Sequence, residues 1–242
     1  MLYHLHYLLS DYFSVFNVFR YITFRSMAAF VVALLLVLIL QPIFIRWIQK
    51  KSPGQPIRDD GPQTHLVKQG TPTMGGVVVV AAVVLSTLLF SNLGNIYIWT
   101  VLGLTLFYGA LGFVDDFRKV GLQDTKGVRP KTKLLYQAVI AAVFTLVLIQ
   151  FAPNFSTVVQ VPFFKNLDFD LGLWFIPFSC LVIVGASNAV NLTDGLDGLV
   201  IGPIMTTAFA YGVFAYVAGN VKIADYLQIS YITGSGEVAI FA

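Results

Sequence analysis

The stretch SMAAFVVALLLVLILQPIFIRWI, residues 26–48, decides the class of fold. It carries no charge from Met27 to Ile45, close to the roughly 20 apolar residues that a helix needs to cross a bilayer. Five more runs repeat this signature, at about 75–93, 97–114, 134–152, 172–189 and 199–218, and a seventh begins at Glu237 and stops at Ala242. The whole chain agrees with them. Of its 242 residues 57% are hydrophobic and 11% charged, whereas a soluble domain carries about 25% charged residues. Mean hydropathy is +0.79. The expectation is an all-α, polytopic transmembrane helix bundle: a single integral membrane domain over 1–242, with six spans and the start of a seventh.

The N-terminus, MLYHLHYLLSDYFSVFNVFR, has neither the basic start nor the small-residue cleavage site of a signal peptide. Leu2, Leu5, Leu9, Phe13, Phe16 and Phe19 recur at helical spacing, which predicts an aromatic-rich helix lying in the membrane interface over 1–25. His4 and His6 are two positions apart and do not face each other on such a helix, so metal binding is not expected of them. Cys180 is the single cysteine, which excludes an internal disulfide; in its apolar run it reads as a small buried hydrophobe.

Arg46, Lys50, Lys51, Arg58 and Lys68 surround the first connection, and Arg118, Lys119, Lys126, Arg129, Lys131 and Lys133 fill the third. These are eleven of the fifteen Lys and Arg, while the connections on the other side hold only Lys165 and Lys222. By the positive-inside rule the first and third connections are cytoplasmic and the N-terminus is periplasmic. The expected cytoplasmic loops are about 49–74, 115–133 and 190–198. Every dense polar cluster then meets on one membrane face. The outer connection 153–171, with VVQVPFF at its centre, predicts a small periplasmic hairpin.

The first of those clusters is Asp115–Asp116, in YGALGFVDDFRK, where a span ends. A carboxylate at mid-bilayer costs about 3 kcal/mol, so a pair without a role is hard to retain there. The plain alternative is an interfacial pair neutralised by Arg118 and Lys119. Asp59–Asp60, beside Gly61 and Pro62, reads instead as solvated turn carboxylates. The second cluster is NAVNLTDGLDG, 188–198, with two Asn, two Asp and two Gly and no basic neighbour. Asn188, Asn191 and Asp194 share one face if the helix continues through them. Their amides suit a nucleobase edge or a sugar, and aspartate oxygens suit a hard cation such as Mg²⁺. A capped polar turn explains one or two of these residues but less naturally all six. The third cluster, KQGTPTMGG over 68–76, offers a lysine at a helix N-terminus, a weak phosphate-site signal by itself.

The chain has no P-loop, no HExxH, no nucleophile elbow and no Cys/His metal pattern. Carboxylates at a helix end, an Asn/Asp/Gly loop and nearby lysines suit Mg²⁺-assisted phosphoryl transfer, in which catalysis is positioning plus charge neutralisation. A soluble anionic donor would approach from the cytoplasm and a lipid acceptor from the bilayer.

Together GTPTMGG, GFVDD and NAVNLTDGLDGL resemble the bacterial phospho-N-acetylmuramoyl-pentapeptide transferases, within the superfamily of polyprenyl-phosphate sugar-1-phosphate transferases. The likeness covers nearly the whole chain in order and spacing. It implies transfer of phospho-MurNAc-pentapeptide from UDP-MurNAc-pentapeptide to undecaprenyl phosphate, giving lipid I and UMP, with Mg²⁺ as cofactor, at the cytoplasmic face of the inner membrane. It implies Asp115 and Asp116 as catalytic residues handling the lipid phosphate, one version having Asp115 take its proton and another having Asp116 attack. Lys68, Thr73, Lys133, Asn188, Asn191, Asp194, Gly195, Leu196 and Asp197 are the implied substrate-binding residues, and Asp115, Asp116 and Asp194 the implied metal ligands. A full member also has further spans, another acidic Mg²⁺ ligand and a cytoplasmic His-rich loop. None of these falls in 1–242, and His65 is no substitute. The expectation is therefore an incomplete enzyme, inactive alone. Beside the two substrates and the bilayer, a homodimer, an inhibitor protein and a nucleoside antibiotic are compatible partners; nucleic acid is not expected. The competing readings are a polyprenyl-phosphate GlcNAc-1-phosphate transferase and an ion-coupled transporter, the latter predicting acids near mid-membrane and an inverted repeat.

Overall fold

The structure is a computed structural model describing residues 1–9, 12–51, 74–121, 127–161, 164, 168–194 and 198–242. Among these, five helices are long and apolar enough to cross a membrane. They are built on α2 (Ile22–Lys51), α4 (Ile96–Gly121), α5 (Pro130–Phe151), α6 (Phe175–Thr193, its span starting at Gly172) and α7 (Ile201–Ala218), and the short helices α1 (Leu2–Leu9), α3 (Gly76–Phe90) and α8 (Val221–Leu227) complete the set.

Three expectations change. The run expected to span at 75–93 is α3, with 15 residues, about 22 Å of helix. It ends because Ser91 turns extended, and the Asn92 side chain then accepts from the Gly94 N–H in a local turn. The N-terminal segment is not one helix: α1 is followed by a 3-10 helix over Ser14–Arg20, flanked by extended Phe13 and Tyr21. The run from Glu237 lies in a 3-10 helix, Ser235–Ile240. The helices also run deeper than the expected loops. Asp115 and Asp116 sit inside α4, which continues to Gly121, and Pro130 opens α5 at a position that needs no N–H.

Helices adjacent in sequence pack together: α2 packs on α3, α4 on α5 and α5 on α6, while α7 packs on the 3-10 helix Ser235–Ile240. Large apolar side chains such as Leu38, Leu181 and Phe209 stay exposed on the outside, the surface that hydrocarbon solvates. Buried Thr87 and Thr145 donate their hydroxyls to the carbonyls four residues back, so they enter the apolar interior with their donors satisfied. The connection after α5 forms the expected hairpin, β1 (Val158–Gln160) antiparallel to β2 (Asp168–Asp170), with Val158 opposite Asp170.

At the hairpin end of the bundle the Arg25 guanidinium is 1% exposed and bonds both oxygens of Glu237, at 2.8 and 2.6 Å. It also donates to the Phe90 carbonyl at 3.0 Å, and the Tyr3 ring covers it at 4.5 Å. Glu237 further accepts the Asn92 N–H at 2.9 Å. Asn95, just before α4, donates its amide to the Gly234 carbonyl at 2.7 Å. The starts of α2 and α4, the end of α3 and the last 3-10 helix are thus tied at one point.

Candidate active site

At the opposite end of α4 lie the residues that the sequence singles out. Asp115 is buried. Its Oδ2 accepts from Lys119 Nζ at 2.8 Å, one turn on, with Lys133 Nζ of α5 at 3.8 Å. Its Oδ1 accepts the Val128 N–H at 2.8 Å. The chain reaches this bond through Gly127, whose φ is +58°; a Cβ there would lie 2.5 Å from Asp115 Oδ1 and 2.7 Å from Lys119 Cε. Only glycine suits both that backbone and that approach. Asp116, the next residue, makes no ion pair or hydrogen bond among the described residues. Adjacent helical residues point about 100° apart, which is why neighbours in sequence have such different surroundings.

Beside this pair, α4, α5 and α6 leave a cleft of about 270 Å³. Tyr108, Leu111 and Gly112 line it from α4, Lys133 and Gln137 from α5, and Ser187, Asn188, Val190, Asn191 and Asp194 from the end of α6. Because α6 stays helical through Thr193, Asn188, Asn191 and Asp194 come to one wall. Lys133 belongs to both places, lining the cleft and standing near Asp115. Asn191 and Asp194 are exposed, with no side-chain partner among the described residues. Lys68, Thr73, Gly195, Leu196 and Asp197 lie outside the described residues, as do Asp59, Asp60 and His65.

Among the described residues no three His, Cys, Asp or Glu side chains stand together as a metal cage. Asp115 has both oxygens engaged by a cation and an N–H. Asp116 and Asp194 keep free carboxylate oxygens, and Mg²⁺ commonly needs only one or two of these plus substrate phosphates. Sequence reasoning missed Tyr108, Gln137 and Ser187. A lone amide at Gln137, inside an apolar span and one turn after Lys133, is the signal that could have found the most buried of them.

Apolar helices long enough to cross a bilayer, with a polar, lysine-bearing cleft at one end, mark a multi-pass membrane protein. The family model described as Glycosyl transferase family 4 matches residues 98–236, the part that builds this cleft. The signature described as Phospho-N-acetylmuramoyl-pentapeptide-transferase signature 1 matches residues 68–80. Curated relatives agree over nearly the full chain. The Phospho-N-acetylmuramoyl-pentapeptide-transferase of Syntrophus aciditrophicus is 53% identical over 241 residues, 100% of this chain and 67% of the relative. That of Citrifermentans bemidjiense is 51% identical over 240 residues, 99% of this chain and 67% of the relative. That of Pelobacter propionicus is 51% identical over 241 residues, with the same shares of 99% and 67%. The chain belongs to the phospho-N-acetylmuramoyl-pentapeptide-transferase family, a phospho-sugar transferase of that type.

Proposed function

We propose that this protein transfers phospho-MurNAc-pentapeptide from UDP-MurNAc-pentapeptide to undecaprenyl phosphate, giving lipid I and UMP, at the cytoplasmic face of the bacterial inner membrane, with its N-terminus periplasmic. One observation carries the reading: Lys133, Asn188, Asn191 and Asp194 converge on a single cleft beside Asp115 and Asp116, in a chain of this family. A lipid phosphate can reach the pair from the bilayer while the nucleotide-sugar enters from water.

In the reaction a lipid phosphate oxygen bonds to the sugar-linked phosphorus as its bond to the bridging oxygen breaks, and UMP leaves. The Lys133 ammonium meets the diphosphate and offsets its charge, which matters most where water is scarce. The Asn188 and Asn191 amides orient the uridine and sugar side of the donor. Asp115, held by Lys119 and the Val128 N–H, keeps the end of α4 and the start of α5 in register. Asp116 has the unengaged carboxylate, which favours it in either of two routes: it takes the proton of the lipid phosphate as that phosphate attacks, or it attacks the sugar-linked phosphorus itself, UMP leaving as the bridging bond breaks, and the lipid phosphate then displaces the aspartate from the resulting acyl phosphate. Asp116 and Asp194 would hold Mg²⁺ together with substrate oxygens. When bound, the ion supplies charge neutralisation on the diphosphate.

The test is lipid I formation by the full-length protein from UDP-MurNAc-pentapeptide and undecaprenyl phosphate, run beside UDP-GlcNAc and with and without Mg²⁺. Preference for UDP-GlcNAc overturns the substrate assignment, and full activity in chelator overturns the metal. Asp116→Asn is expected to lose about 10²–10⁴-fold in kcat. A fully active Asp116→Asn excludes the covalent route, whereas a trapped phosphoaspartyl enzyme excludes direct attack.

A further inference from the structure

Gln137 is 3% exposed, deeper than any other residue on the cleft wall, and the reaction described above does not use it. Its contacts fix the orientation of a neighbour. The Asn188 Nδ2 lies 2.8 Å from the Val184 carbonyl, one turn back on α6. A backbone carbonyl can only accept, so the Asn188 atom facing it must be the NH₂ group. The second hydrogen of that NH₂ goes to Gln137 Oε1 at 2.9 Å. Gln137 must therefore turn its own Nε2 the other way, toward Ser187 Oγ at 3.4 Å, where a hydroxyl can accept. The Tyr108 hydroxyl, donating to the Gln137 backbone carbonyl at 2.9 Å, pins α4 to α5 at the same level. With both its hydrogens spent, Asn188 is left with Oδ1, which has no partner among the described residues.

We infer that Gln137 is a positioning residue: it locks the Asn188 amide so that the cleft offers the donor substrate a hydrogen-bond acceptor, matched to an N–H or hydroxyl of the nucleotide-sugar. The inference rests on the transferase reading above. Without Gln137 only the Val184 carbonyl still holds the Asn188 NH₂, so the amide is less firmly fixed and presents its Oδ1 to the cleft a smaller share of the time. The same logic gives a rescue. Gln137→Glu keeps an oxygen toward Asn188, and Ser187 can donate its hydroxyl to the other oxygen. Gln137→Leu keeps the volume and loses both contacts.

The experiment uses the whole protein in membranes. Gln137→Leu is expected to raise the KM for UDP-MurNAc-pentapeptide about three- to tenfold, with a smaller change in kcat; Gln137→Glu recovers most of that loss. In a double-mutant cycle Gln137→Leu adds nothing to Asn188→Leu, because the first acts only through the second. Multiplying effects, or a KM for Gln137→Leu equal to the unsubstituted value, overturn the inference. A second readout needs no turnover. With ¹⁵N-asparagine labelling, both side-chain N–H signals of Asn188 exchange slowly in the unsubstituted protein and in Gln137→Glu, and one exchanges fast in Gln137→Leu. Unchanged exchange in Gln137→Leu also overturns it. Failure of the transferase reading is separate: it shows as no lipid-linked product from the unsubstituted full-length protein.

Discussion

Arg25 and Glu237, 212 positions apart in sequence, meet as a buried two-bonded ion pair at the hairpin end of the bundle. Removing one partner strands the other without solvent, a loss of about 3–5 kcal/mol for a buried pair. Glu237→Ala should therefore sharply lower the thermal unfolding temperature in detergent. The double substitution Arg25→Met with Glu237→Met should recover much of it. A double variant no more stable than Glu237→Ala alone would show that the Phe90 carbonyl and the Tyr3 ring matter more than the pair.

Gly127 faces a double constraint, a left-handed backbone and a Cβ position 2.5 Å from Asp115 Oδ1. Gly127→Ala should cost about 1–2 kcal/mol from the backbone alone, and should lower transferase activity by displacing Asp115. Gly198 provides the contrast: its φ is +82° but nothing lies within 4 Å of its Cβ position. Gly198→Ala should lose stability of similar size without disturbing Asp115. Equal activity in unfolding-corrected assays of Gly127→Ala and the unsubstituted protein would contradict this.

Lys133 is the one cation shared by the cleft and the Asp115 cluster among the described residues. A hydrogen bond to a charged group contributes about 1.5–3 kcal/mol, so Lys133→Met should raise the KM for the nucleotide-sugar about ten- to hundredfold. Steady-state kinetics over both substrates checks it. A rise confined to the polyprenyl phosphate would move Lys133 to the other substrate.

In the hairpin, the Thr157 hydroxyl and the Gly172 N–H both donate to Asp170 and hold its carboxyl below the usual carboxylate range. A depressed folded pKa means that this contribution is present above the ordinary Asp value and is lost as pH falls through the lowered one. Thr157→Val should shift the Asp170 titration upward in NMR and make the hairpin loosen at a higher pH. An unmoved titration would show that Gly172 alone sets it.

The spans were legible because hydrophobic length is a local property, and α2, α4, α5, α6 and α7 fall where the apolar runs do. α3 was overread by a few residues because Ser91 and Asn92 look tolerable in a hydropathy window, yet they end the helix by a side-chain turn. The cluster Asn188, Asn191, Asp194 was readable from its spacing, since α6 runs to Thr193 and Asp194 caps its end. Arg25 was not readable as a partner of Glu237, because nothing local links an arginine at the start of one helix to an acid in a distant 3-10 turn. Gln137 was passed over for a similar reason: its meaning lies in the Val184 carbonyl on another helix, which no pattern of side chains displays.

α4 is tied at both ends, by Asn95 to Gly234 on one side of the bundle and by Asp115 to the start of α5 on the other. A helix turns about 100° per residue and 1.5 Å along its axis. One residue added anywhere between Asn95 and Asp115 would swing one anchor about a quarter-turn out of phase with the other. Four residues nearly restore the phase but lengthen the rod by about 6 Å. The spacing between these two anchors is therefore quantised. Substitutions along α4 can be absorbed, but insertions and deletions cannot.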